Sequence, residues 1–169
     1  MPGTIDVLEG GTLLAFSVEE MLKYSGPGSP GGVAQAFKIL ELALPLLADA
    51  PPQRREISVR TAFAGPGARD AIELVTRAAT GDRYVVDPVL ARSERGPTLE
   101  RFVFQLGYRD ASVTLVVREG IVTDEFFELA SSDGRSADQE ARLDQLKLAM
   151  FTQVMGLPAN EVYDVLPDS

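Results

Sequence analysis

Twice in this chain a run of glycine and proline leads straight into a helical pattern. The first is SGPGSPGG at 25–32, and the second is GPGA at 65–68. Glycine allows a ligand or another backbone to come close. A helix start presents free N–H groups and the positive end of the helix dipole. The arrangement predicts two loops that can each face an anion. Neither loop fits a known phosphate grip: GPGSPGG lacks the Lys-Ser/Thr pair of the phosphate loop and the spacing of the dinucleotide fingerprint.

The rest of the chain supplies helices and strands in alternation. FSVEEMLKYSG reads as a short helix, with Ser17 as N-cap, Glu20 completing a capping box and Gly26 as its end. A second helix is predicted from about Pro30 to Ala48, with Val33, Phe37, Leu40 and Leu44 at helical spacing and Pro45 disturbing its last turn. REISVRTAFAG alternates as a half-buried strand, with Ile57, Val59, Thr61 and Phe63 on one face. The helix opened by the second loop carries Ile72, Leu74, Val75 and Ala79, and Gly81 is expected to cap it. RYVVDPVLAR reads as a β segment interrupted by Pro88, which marks an edge or a bulge. LERFVFQLGYR and ASVTLVVRE read as a hairpin joined at GYRDA, with Phe102, Phe104 and Leu106 against Val117, Leu115 and Val113. TDEFFELASS reads as helical. A longer amphipathic helix follows, with Leu143, Leu146, Met150 and Val154 as its stripe and Gly156 and Pro158 as its stop. ANEVYDVLPDS reads as a tail. The expectation is one α+β domain over 1–169, with a mixed or antiparallel sheet packed against helices.

Composition removes whole classes of chemistry. The chain has no cysteine, so disulfides, thiolate catalysis and iron–sulfur ligation are excluded. It has no histidine, so the commonest general base and zinc ligand are missing, and a Ser-His-Asp triad cannot form. A Ser-Lys pair with Lys23, Lys38 or Lys147 has no support from spacing. The net charge of −9 opposes general binding to nucleic acid or to anionic membranes. No apolar run reaches the ~18 residues of a membrane span. MPGTIDVLEGG has neither the basic nor the apolar region of a secretory signal, which makes the cytoplasm the expected location. Glu19-Glu20 and Asp124, Glu125 and Glu128 read as solvated acidic faces rather than a cation site.

The two loop segments resemble the FmdE-type family, named for a component of formylmethanofuran dehydrogenase. Its first motif, His-Gly-His-x-Cys-Pro-Gly ahead of a long helix, falls on Ser25-Gly26-Pro27-Gly28-Ser29-Pro30-Gly31. Its second, Cys-Gly-Val-Asp-Ala-Ile-Gln followed by a Thr and a Gly-rich exit, falls on Gly67-Ala68-Arg69-Asp70-Ala71-Ile72-Glu73, then Thr76 and Gly81. The family's aromatic hairpin is similar to RFVFQLGYRDASVTLVVRE, and the likeness runs from about Phe16 to Val165. The resemblance implies the family's fold, with the loops at 26–32 and 65–70 facing each other, and makes a homodimer an expectation. The family's metal-binding positions fall here on Ser25, Pro27, Ser29 and Gly67, none of them a ligand for a soft or borderline metal. The Cys-rich zinc segment of some members is also missing.

The expectation is therefore a degenerate metal site without metal or cofactor. It would bind a small polar or anionic ligand between the loops, lined by Tyr24, Ser25, Gly28, Ser29, Gly67, Arg69 and Asp70. Each residue has a plainer role: Asp70 in a helix's first turn, Ser25 and Ser29 as caps, Tyr24 as partly buried packing and Arg69 as a solvated charge. Two rivals remain. One is an assembly subunit or homodimer of a redox system, using the helix at 137–155 or the edge near Pro88. The other is an enzyme working through Arg69 and Asp70, although no catalytic residue is assigned.

Overall fold

The computed structural model describes residues 3–167. The chain opens with a hairpin that the sequence pattern does not announce: β1 (Ile5–Glu9) pairs antiparallel with β2 (Thr12–Phe16). Gly10, at φ 61°, makes the turn in a region that glycine favours. Helix α1 (Val18–Ser25) starts at the anticipated capping box. Ser17 accepts from the Glu20 N–H, and the Glu20 carboxylate accepts from the Ser17 N–H at 3.0 Å. It stops at Gly26, whose φ is 85°.

Helix α2 (Pro30–Leu47) is the centre of the molecule. Val33, Ala34, Ala36, Phe37, Ile39, Leu40 and Ala43 are all fully buried, so the helix is apolar on most of its circumference. It packs between α3 (Pro66–Thr76) and α5 (Ala137–Met155) and lies against the larger sheet. Pro45 sits inside it, and the helix still runs on to Leu47.

That sheet has five strands in the order β4-β3-β5-β6-β7, formed by Tyr84–Val86, Ile57–Thr61, Val103–Tyr108, Ala111–Val117 and Tyr163–Val165. β3 and β4 are parallel, as a strand–α3–strand crossover requires, and the other pairs are antiparallel. The β5–β6 register matches the sequence reading: Phe104 faces Leu115 and Leu106 faces Val113. Pro88 does lie beside an edge strand, β4. The fold is α+β.

Two readings are corrected. The segment at 159–167 is not a loose tail: β7 adds an edge to the sheet, and Tyr163 is buried. Gly81 does not cap α3, which ends five residues earlier with Arg77 in the left-handed conformation at φ 56°. The helix's last carbonyls are met by two arginines instead. Arg54 donates to the carbonyls of Leu74 (2.7 Å) and Val75 (3.0 Å), and Arg83 to those of Thr76 (3.1 Å) and Arg77 (3.0 Å). These are the orphan acceptors that every helix leaves at its C-terminus. Helix α4 (Asp124–Ala130), capped by Thr123, packs beside α5.

Candidate functional site

The two glycine-rich loops meet. Both helices begin with proline, whose missing N–H costs nothing at that position. Neither helix has a side-chain cap: Ser29 makes no such bond, and Gly65 has no side chain to make one. A Cβ on Gly67 would stand 2.6 Å from the Ser29 carbonyl oxygen and 2.7 Å from its Cβ. A Cβ on Gly32 would stand 3.3 Å from the Ala68 nitrogen. At 67 only glycine lets the two helix starts press together this closely, and at 32 a side chain would be tight. The two helix starts, neither with a side-chain cap, lie side by side.

Over this seam lies a small pocket of about 70 Å³. Ser29, Gly31, Gly32 and Gly67 form its floor. Phe63, Phe102 and Phe126 stand in its wall, with the Phe63 and Phe102 rings stacked at 4.4 Å and 26°. Met150 and Lys147 reach it from α5. Gln35, only 4% exposed, completes it from the second turn of α2. The Gln35 amide is held at both ends: its oxygen accepts from the Tyr163 hydroxyl at 2.8 Å, and its nitrogen donates to the Met150 sulfur at 3.3 Å. A thioether can only accept, which fixes that orientation of the amide.

The electrostatics of the pocket run against those of the whole chain. No carboxylate among the described residues lines it, and Lys147 is its one charged side chain. Among the described residues Lys147 forms no ion pair. A roomier groove of about 320 Å³ lies between α2 and the proline-rich segment at 48–52, but Asp6, Glu41 and Asp49 line it.

The structure divides the seven residues singled out from sequence. Ser29 and Gly67 line the pocket. Ser25 and Asp70 form a second link between the loops: the Ser25 hydroxyl donates to an Asp70 carboxylate oxygen at 2.9 Å. Asp70 lies in the second turn of α3, not the first, so it is no dipole cap. Arg69 is exposed, 3.8 Å from Asp70. Gly28 has open space around it. Tyr24 is 53% exposed, which corrects the expectation of a partly buried packing residue. Ser29 does not cap α2 with its side chain, and Ser25 is engaged with Asp70.

Sequence reasoning missed Lys147, Gln35 and the three phenylalanines. Lys147 and Met150 are three apart on one helix, which places both on the face turned to the loops. That spacing was visible, but nothing in it says which surface the helix meets. The acidic residues near α4 are engaged elsewhere: Thr98 donates to Asp124, and Arg142 donates to Glu125 at 2.7 and 2.8 Å.

Two buried side-chain atoms make no hydrogen bond at all among the described residues: the Tyr84 hydroxyl oxygen and Nη1 of Arg95. Burial pushes the Tyr84 hydroxyl up to about 12, with Arg69 opposing and Asp70 adding smaller effects. No helix among the described residues is long and apolar enough to cross a membrane. No protein-family model matches the chain, and no curated protein matches it either, so its residues and their geometry carry the functional reading.

Proposed function

We propose that the protein is a ligand-binding module, a divergent FmdE-type domain without its metal, that holds a small anionic ligand where its two glycine-rich loops meet. One observation carries this reading: in a chain of net charge −9, the pocket over two uncapped helix starts has a lysine and no carboxylate in its lining. Backbone N–H groups at a helix start favour negative charge, and two starts with one lysine strengthen that preference. The three phenylalanines in the lining make the surroundings less polar, which strengthens polar contacts made beside them. Three of the family's four ligand positions support the resemblance, because they lie where the two segments face each other. Ser25 meets α3 through Asp70, and Ser29 meets Gly67 directly. Native mass spectrometry of the freshly purified protein, set beside its denatured mass, tests the reading. Extra mass lost on denaturation is expected, and it should be absent from a Lys147→Gln variant. A clean apo mass, together with no saturable binding of any added anion, overturns the reading.

A second reading, the assembly subunit or homodimer, is favoured by a different surface. Edge strand β4 and the turn after it expose Val85, Val86 and Val89, the last at 86%. An open edge with apolar side chains can pair with another strand. Sedimentation of the wild type and of a Val89→Asp variant separates the readings: a dimer that the variant dissociates supports assembly through this edge.

A further inference from the structure

Anion binding between the loops leaves the ligand's class open, and the pocket narrows it. Its volume of about 70 Å³ compares with the ~10–15 Å³ that a cavity needs to hold one water, so it holds a ligand of roughly five non-hydrogen atoms, the size of a three-carbon acid. Its one charged side chain, Lys147, balances a single negative charge. A phosphate dianion would be half neutralised, and the phenylalanines beside it could satisfy none of its remaining oxygens.

A carboxylate has two oxygens that take about four donors. The lining offers Lys147, the first-turn backbone at Gly31, Gly32 and Gly67, and Gln35. Gln35 is the most telling of these. It is more than nine-tenths buried, its oxygen is taken by Tyr163, and its nitrogen spends one N–H on a weak sulfur acceptor. The second N–H of that nitrogen has no protein partner among the described residues. A buried donor left without an acceptor costs about as much as a lost hydrogen bond, and a ligand oxygen would supply the acceptor.

Resting on the anion-binding reading, we infer that the occupant is a short monocarboxylate of two or three carbons. Its carboxylate lies at the glycine floor between Lys147 and Gln35, and its alkyl end lies against Phe102 and Phe126.

Calorimetric titration of the full chain with acetate, propionate, inorganic phosphate and neutral propionamide tests this. Acetate and propionate should saturate one site with millimolar affinity or better, near the ceiling for so few atoms. Phosphate and propionamide should bind at least tenfold more weakly. Lys147→Gln should weaken acetate at least tenfold, and Lys147→Arg should restore most of the affinity. Phe126→Ala should weaken propionate more than acetate. Phosphate binding at this site without carboxylate binding overturns the inference and leaves the anion reading standing. Equal binding of propionamide, or binding of no probe at all, overturns both.

Discussion

The Ser29 carbonyl oxygen lies 2.6 Å from the point where a Cβ on Gly67 would stand, and this contact sets how closely α2 and α3 begin. The obstruction is backbone, which cannot swing aside as the end of a side chain can. Gly67→Ala should therefore destabilise the fold by about 1–3 kcal/mol, the usual cost of overpacking. Gly28→Ala, in open space and without a positive φ, should stay within about 0.5 kcal/mol of wild type. Urea denaturation of the two variants checks the contrast. Gly67 is thus a seam residue first, and a substitution there reports on binding only after its effect on folding is removed.

Arg54 and Arg83 together satisfy the four carbonyls at the end of α3, and Arg83 also donates to the Ile57 carbonyl at the start of β3. Arg83→Met should cost roughly 2–4 kcal/mol, because several buried acceptors lose a charged donor at once. Arg83→Lys should recover only part of that, since an ammonium cannot reproduce the fork. Thermal and chemical unfolding of the pair would show the order wild type, lysine, methionine.

Two tyrosines with buried hydroxyls should behave in opposite ways. Tyr163→Phe leaves the Gln35 oxygen without its donor, for a loss of about 1–3 kcal/mol. Tyr84→Phe removes a hydroxyl that has no partner among the described residues, so stability should be unchanged or slightly raised.

The Tyr84 hydroxyl also sets a pH limit. Burial raises it from 10.0 in the unfolded chain to about 12 in the folded one. The unfolded state therefore loses its proton first. The associated stability is fully present below pH 10 and is lost as pH rises toward 12. Tyr84→Phe should flatten the fall in unfolding midpoint over that window, read by denaturation at about pH 9, 10 and 11.

At the acid end, exposed ion pairs act. A hydrogen bond from Arg55 holds Glu9 below the usual carboxylate range, and hydrogen bonds from Arg109 and Arg142 do the same for Glu56 and Glu125. A carboxyl group lowered in the folded state stabilises above its unfolded pKa, and that contribution disappears as pH falls through the folded value. Acid should therefore lower the unfolding midpoint. High salt should shrink the effect, because these pairs face solvent.

Local patterns were easy to read here, and meetings between distant segments were not. The capping box at Ser17, the hairpin register at Phe104 and the stripe at Leu143 and Met150 each depend on residues close in sequence. The β1–β2 hairpin is short, and the apolar face of β1 is only Ile5 and Val7, too brief to stand out as alternation. Strand β7 has three residues, and its partner β6 is distant in sequence, with Val117 opposite Tyr163. Sequence alone points to a glycine at the end of α3, because αL favours glycine. Arg77 takes that conformation instead, with Arg54 and Arg83 holding the carbonyls beside it. At the site, the glycines announced a close approach, and Ser29 and Gly67 make it. The cation and the aromatic wall come from α5, α4 and the ends of β3 and β5, and nothing local in those segments names the loops as their neighbour.

The central claim is that the seam between the loops is an anion site. Backbone amide NMR of the labelled protein, titrated first with sodium acetate and then with sodium phosphate at constant ionic strength, tests it most directly. The account predicts saturable shifts at the amides of Gly31, Gly32 and Gly67 and the side-chain amide of Gln35, all lost in Lys147→Gln. Shifts that grow linearly without saturating, or that centre on residues outside the pocket, would contradict it.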